Sequence, residues 1–69
     1  MKLSARNQLS GKVLEVQKGQ VNAKVILEIA GGERLTSIIS LDAAEELELT
    51  EGKEVTAVIK SSSILLMTE

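Results

Sequence analysis

The chain contains no cysteine and no histidine. Disulfides are excluded, and so is the familiar structural zinc site built from thiolates and imidazoles. General acid-base chemistry near neutral pH loses its usual carrier as well. Aromatic residues are also absent, so the core must be assembled from Val, Ile, Leu and Ala. The stacking platform on which single-stranded nucleic acids are normally held is missing for the same reason. No apolar run reaches the length of about 18 residues that suggests a membrane span, and Met1-Lys2-Leu3-Ser4-Ala5-Arg6 lacks the apolar stretch of a secretory signal. The chain reads as soluble and cytoplasmic, with no membrane partner. Its net charge of −2 argues against a general nucleic-acid binder, because neutralising phosphates needs a basic face.

What is present fits a small globular protein. Hydrophobic residues make up 43% of the 69 positions, too many for intrinsic disorder. The length allows a single domain, residues 1–69. Below about 70–80 residues one core rarely supplies more than ~3–5 kcal/mol, and small folds usually carry a staple. With disulfides and zinc excluded, the remaining common staple is assembly with other copies.

The patterning is mostly that of strands. Leu9 to Lys18 mixes Val13, Leu14 and Val16 with Lys12, Glu15 and Gln17 and reads as strand one, followed by a turn at Lys18-Gly19-Gln20. Val21, Ala23, Val25, Leu27 and Ile29 alternate with Asn22, Lys24, Ile26, Glu28 and Ala30, which puts five apolar side chains on one face of strand two. Gly31-Gly32 predicts a two-residue hairpin into strand three, Glu33 to Ser40. From Leu41 to Leu49 the apolar spacing changes to three and four, which predicts a short helix. Two caps compete for its start: Ser40, or Asp42 with Glu45 in a capping box. A turn at Thr50-Glu51-Gly52-Lys53 leads to strand four, Glu54 to Lys60, and Ser61-Ser62-Ser63 to strand five, Ile64 to Thr68.

Five short strands with a helix between the third and fourth match an all-β, partly open antiparallel barrel of the oligonucleotide-binding (OB-fold) shape, and a small SH3-like barrel fits nearly as well. Strands three and four carry aliphatic residues on both faces. Ile26, Ile38, Val58, Leu65 and Met67 all fall off the inferred core face. So many outward aliphatics in so short a chain predict a homo-oligomer.

Catalysis finds little support. Without His, the seven Ser residues leave only a Ser/Lys arrangement such as Ser61 beside Lys60, and adjacent strand residues point to opposite faces. Glu45, Glu46 and Glu48 read as the solvated face of the helix, not as an acid-base pair or a cation site. The donor-rich positions point elsewhere. Ser4, Arg6 and Asn7 precede strand one, Ser40 stands at the helix entrance, and Lys60-Ser61 closes strand four. Hydroxyls, a helix start and one or two cations suffice to hold an oxygen-rich anion. Each of these residues also has an ordinary use as a cap, a turn former or a solvated charge.

Ser4-Ala5-Arg6-Asn7-Gln8-Leu9, the run Lys18-Gly19-Gln20-Val21-Asn22-Ala23-Lys24-Val25, Thr36-Ser37-Ile38-Ile39-Ser40 and Glu51 to Ser61 together resemble the molbindins, the small molybdate-binding proteins also known as Mop domains. The resemblance covers essentially the whole chain, in the right order. It implies a five-stranded barrel of the oligonucleotide-binding type that assembles as a homohexamer, a trimer of dimers. Such an assembly binds molybdate or tungstate at subunit interfaces for intracellular storage. By that pattern Ser4, Ala5, Arg6, Ser40, Lys60 and Ser61 form one class of oxyanion site. The turn carrying Lys18, Gly19, Gln20 and Asn22 lines a second class. Ala43 stands where some relatives place a Ser that touches the anion, and Asp42 is electrostatically unhelpful unless it points away. The competing readings are a small nucleic-acid-binding barrel, which the composition opposes, and a purely structural oligomerisation module.

Overall fold

The structure, a computed structural model, describes residues 2–69. Four strands, β1 (Asn7–Lys18), β2 (Asn22–Ile29), β3 (Arg34–Ser40) and β4 (Glu54–Ile59), form one antiparallel sheet in the spatial order β3-β2-β1-β4. A single α-helix, α1 (Leu41–Glu46), connects β3 to β4, and short 3-10 turns occupy Ala30–Gly32 and Ser61–Ser63. The all-β class and the position of the helix agree with the sequence reading. The count of five strands does not.

β1 is the longest element and the one against which both wings of the sheet are built. It starts at Asn7, two residues before the sequence pattern suggests, because Asn7-to-Lys12 pairs with β4 while Gly11-to-Lys18 pairs with β2. Val13 opposes Leu27 and Glu15 opposes Ile26, which leaves Leu14 as the extra residue of a bulge. A bulge bends its strand and raises the local twist, and here it lets one strand serve two diverging partners. Gly11 lies beside it. A Cβ built on Gly11 would sit 2.6 Å from the Glu28 carbonyl oxygen, so any side chain there pushes the β2 backbone away. Gly11→Ala is expected to destabilise the fold by about 1–3 kcal/mol, the usual cost of overpacking. A denaturant melt of the variant that overlays the parent's would show that the sheet opens at no cost.

The backbone of Val13 is also tied to the turn before β4: its N–H donates to the Lys53 carbonyl at 2.9 Å, and its carbonyl accepts from Gly52 at 2.8 Å. The core follows from the alternation in β2. Ala23, Val25 and Leu27 are buried with Val13, and Ala44 and Leu49 join them from α1 and the loop that follows. Val21, expected on the same face, lies outside the strand and is exposed, and Ile29 is only half-buried at the strand's end. The connection to β3, Ala30 to Glu33, is two residues longer than the two-residue hairpin predicted from Gly31-Gly32. Ala30, Gly31 and Gly32 form a 3-10 turn closed by Ile29 N–H to Glu33 oxygen at 2.8 Å. The expected positive φ is present at both glycines, 86° and 83°.

Of the two rival helix caps Ser40 is the one used: its Oγ accepts from the Ala43 N–H at 3.0 Å. α1 stops at Glu46 instead of running to Leu49. Glu48 turns into the left-handed region (φ 53°), and Glu48 N–H bonds to Glu45 oxygen while Leu49 N–H bonds to Ala44 oxygen. That pair of bonds is a Schellman ending. It swings Leu49 into the core. Lys53 Nζ donates to the carbonyls of Leu47 (2.5 Å) and Glu48 (3.3 Å), where a cation suits the carboxyl end of a helix.

The predicted fifth strand, Ile64 to Thr68, pairs with nothing in this chain. Leu65, Leu66 and Met67 are 90%, 91% and 88% exposed. Apolar alternation reports that a segment is extended, but the ladder that completes it is a non-local matter. The outward aliphatics expected from the pattern are confirmed at Ile38, Val58, Leu65 and Met67, with Ile26 half-buried. β3 and β4 are the two free edges of the sheet. An apolar slot of about 400 Å³ is lined by both of them, through Leu35 and Ile39 on one side and Val55, Ala57 and Ile59 on the other.

Candidate functional site

The donor-rich residues gather at two places, and the sheet register decides which goes where. Asn7 pairs with Ile59, the last rung between β1 and β4. Arg6 and Lys60 are the next residues beyond that rung, both exposed. Ser4 lies in a bend just before them, with Ala5 half-buried between Ser4 and Arg6. Ser61 opens the 3-10 turn that follows β4, a turn closed by Ser63 N–H to Lys60 oxygen at 2.9 Å. Asn7 Nδ2 donates across the strand pair to the Ile59 carbonyl at 3.4 Å and to Ser61 Oγ at 3.5 Å. Five of the six residues assigned to the first site class therefore share one end of the molecule. Neither Ser4-to-Asn7 nor Lys60-to-Ser63 contains a carboxylate.

Ser40 is not among them. It pairs with Asn22 at the far end of β2, and Lys18 pairs with Ala23 at the same end of β1. Ser40 thus belongs spatially with the turn expected to line the second site class. That turn is fastened by Gly19 N–H to Asn22 oxygen at 2.8 Å, and Leu41 N–H ties the helix entrance to it through the Val21 carbonyl at 2.8 Å. Because Ser40 Oγ accepts from Ala43, its own O–H is left free to donate outward. The helix entrance offers less than its sequence suggests. The N–H groups of Leu41 and Ala43 already have partners, and six residues make a short dipole.

Lys18, Gly19 and Asn22 line an open depression of about 400 Å³ together with Gln17, Ala23, Lys24 and Ile38. Gln20 is not part of its wall. Lys24 is the residue that sequence reasoning missed: it adds a second cation to Lys18. Its signal was its position on the outward face of β2, where the register sets it against Gln17 and Ile38. The chemistry available at both ends is hydrogen-bond donation and positive charge. Among the described residues no group of three or more acidic side chains comes together to hold a metal cation, and no helix is long and apolar enough to cross a membrane.

Comparison with known proteins points the same way. A family model described as the TOBE domain matches residues 3–66. The molybdenum-pterin-binding protein 3 of Clostridium pasteurianum is 60% identical over 67 residues, which is 97% of this chain and 98% of that protein. Among solved structures, MopII from Clostridium pasteurianum in an apo form superposes with a TM-score of 0.92 at 57% identity, covering 97% of this chain and 100% of the other. A molybdate-binding protein from Sporomusa ovata superposes with a TM-score of 0.93 at 35% identity, covering 99% and 100%.

Proposed function

The chain belongs to the TOBE-domain family, and on that premise we propose that it captures molybdate, and tungstate with it, as a passive storage protein inside the cell. The observation that carries this is the collection of donors at both ends of the sheet, hydroxyls and cations with no carboxylate in the Arg6 and Lys60 segments. Tetrahedral oxyanions with two negative charges accept hydrogen bonds and donate none at neutral pH. Ser4, Ser61 and Ser40 supply neutral donors, Arg6 and Lys60 supply charged ones, and charge-assisted bonds are roughly twice as strong as neutral ones. No bond is made or broken in the anion, so the protein acts as a binder and not as an enzyme. The free oxyanion is favoured over a pterin complex of the metal, because a chain without aromatic residues has no ring on which to stack a planar heterocycle.

The first site class is completed between copies. In one chain the Arg6 end and the Ser40 end lie at opposite ends of β1, so a head-to-tail neighbour is what brings Ser40 to Ser4, Ala5, Arg6, Lys60 and Ser61. The second class uses Lys18, Gly19 and Asn22, with Gln20 in the same turn. Support for assembly comes from the unpaired Ile64-to-Thr68 segment and from the empty slot between β3 and β4. A second copy's segment fits that slot as the missing fifth strand, which closes each sheet into a barrel and joins the copies as dimers. Three dimers complete the hexamer, with the exposed faces around Ile38 and Val58 as the remaining apolar surface. An anion held between subunits stabilises the assembly by mass action.

Titration calorimetry with molybdate, tungstate and sulfate checks the function. Heat is expected with molybdate and tungstate, with native mass rising by the bound anions. Absence of heat with all three would overturn the reading, as would a salt-sensitive shift of single-stranded RNA in its place.

A further inference from the structure

We propose that Asn7 is a positioning residue of the oxyanion site, whose side-chain amide holds the Ser61 hydroxyl with its proton turned toward the anion. This rests on the oxyanion reading of the Arg6 and Lys60 end. Asn7 opens β1, is half-buried, and faces Ile59 across the last rung of the β1–β4 pair. Its Nδ2 reaches the Ile59 carbonyl and Ser61 Oγ. A backbone carbonyl can only accept, so the contact with Ile59 dictates which end of the amide faces β4. The same nitrogen also meets Ser61 Oγ, so the hydroxyl oxygen is the acceptor there.

The consequence lies in the polarity of the hydroxyl. Left alone, a serine O–H rotates to suit any neighbour. Once Ser61 Oγ accepts from Asn7, its lone pair on that side is engaged and its proton points away from Asn7, at the exposed end of the sheet that also carries Arg6 and Lys60. An acceptor-only ligand needs that orientation. The amide also joins residues 54 apart in sequence, so it couples the start of β1 to the turn after β4. At 3.4 and 3.5 Å both contacts are longer than the usual range of about 2.7–3.2 Å for an N–H donor to oxygen, and they are weak. Their loss should therefore be felt in affinity far more than in folding.

The experiment is a double-mutant cycle on the full chain, with molybdate as the titrant in calorimetry and ligand-free melting alongside. Asn7→Ala is expected to weaken binding about tenfold, the scale of one hydrogen bond, with little change in melting temperature. Ser61→Ala should weaken it by a similar factor, and the double variant should bind like Ser61→Ala alone, since Asn7 acts through Ser61. Asn7→Asp keeps the size but can only accept. It should take the Ser61 proton for itself and bind more weakly than Asn7→Ala. Parental affinity in Asn7→Ala or Asn7→Asp, or losses that simply add in the double variant, would overturn the assignment. If the parent protein itself gives no heat with molybdate, the oxyanion reading fails and this assignment with it.

Discussion

Ending the chain after Ser63 is expected to abolish both assembly and anion binding. The deleted residues, Ile64 to Glu69, make no sheet pairs in their own chain and leave Leu65, Leu66 and Met67 almost wholly exposed. Fully burying an aliphatic or Met side chain is worth about 1.5–3 kcal/mol. Leu66 and Ile64, which share one face of the extended segment, would together supply roughly 3 kcal/mol or more per chain on insertion into a neighbouring copy, against a total stability of about 5–15 kcal/mol for an ordinary domain. The same insertion satisfies the open N–H and C=O groups along both β3 and β4, which are otherwise sheet edges exposed to unwanted pairing. Native mass should report monomers or unfolded chains for the truncated protein, and calorimetry should report no molybdate uptake. A truncated protein that stays oligomeric would remove the segment from the interface. Leu66→Lys offers a milder form of the test. If Leu65 and Met67 face outward, as their alternation suggests, Leu66 is the side chain that enters the slot, and a charge there should dissociate the assembly while Leu65→Lys should not.

Arg6→Ala is expected to weaken molybdate binding about 30-fold or more while leaving the melting temperature of the ligand-free protein within a few degrees of the parent's. A charged hydrogen-bonding partner removed from a desolvated interface typically costs about 2–5 kcal/mol, and 1.4 kcal/mol is a factor of ten. The fold should tolerate the change because Arg6 precedes β1 and is exposed. Arg6→Lys should restore only part of the affinity, since a lysine keeps the charge but not the planar fork of donors that matches two oxygens at once. Calorimetry on the two variants, with Lys18→Ala as a marker for the second site class, separates the two ends of the molecule. Unchanged affinity in Arg6→Ala would move the first site away from this end. A large loss in Lys18→Ala alone would assign the capture to the depression around Lys18 and Lys24.

Much of this protein is legible from local pattern. The strict alternation in β2 predicts Ala23, Val25 and Leu27 as core, and they are. The start of the Ala- and Glu-rich segment is equally legible, with Ser40 and Asp42 as rival caps, of which the structure uses Ser40. The surplus of aliphatics at Ile38, Val58, Leu65 and Met67 predicts surface that one small barrel cannot bury, and all four are exposed. These features depend on residues a few positions apart, where side-chain direction follows directly from helical or extended geometry.

Other features escape such reasoning. The bulge at Leu14 and the early start of β1 arise because one strand must serve two partners that diverge, and no repeat within β1 records where β4 will lie. The short helix ends where Glu48 accepts a left-handed conformation, a cost that the burial of Leu49 offsets and that Glu48's own chemistry does not announce.

By itself, then, the sequence determined the extended character of the four strands, the face that β2 buries, and the kind of ligand its donors suit. Tertiary structure alone decided that Lys60 and Ser61 stand with Arg6, that Ser40 stands with Asn22 at the other end, and that Ile64 to Thr68 finds no place in its own sheet. The physical reason is the same in each case. Side-chain periodicity is fixed within a few bonds of backbone, whereas strand pairing is settled by which distant edges, in this chain or a second one, are free to complete the ladder.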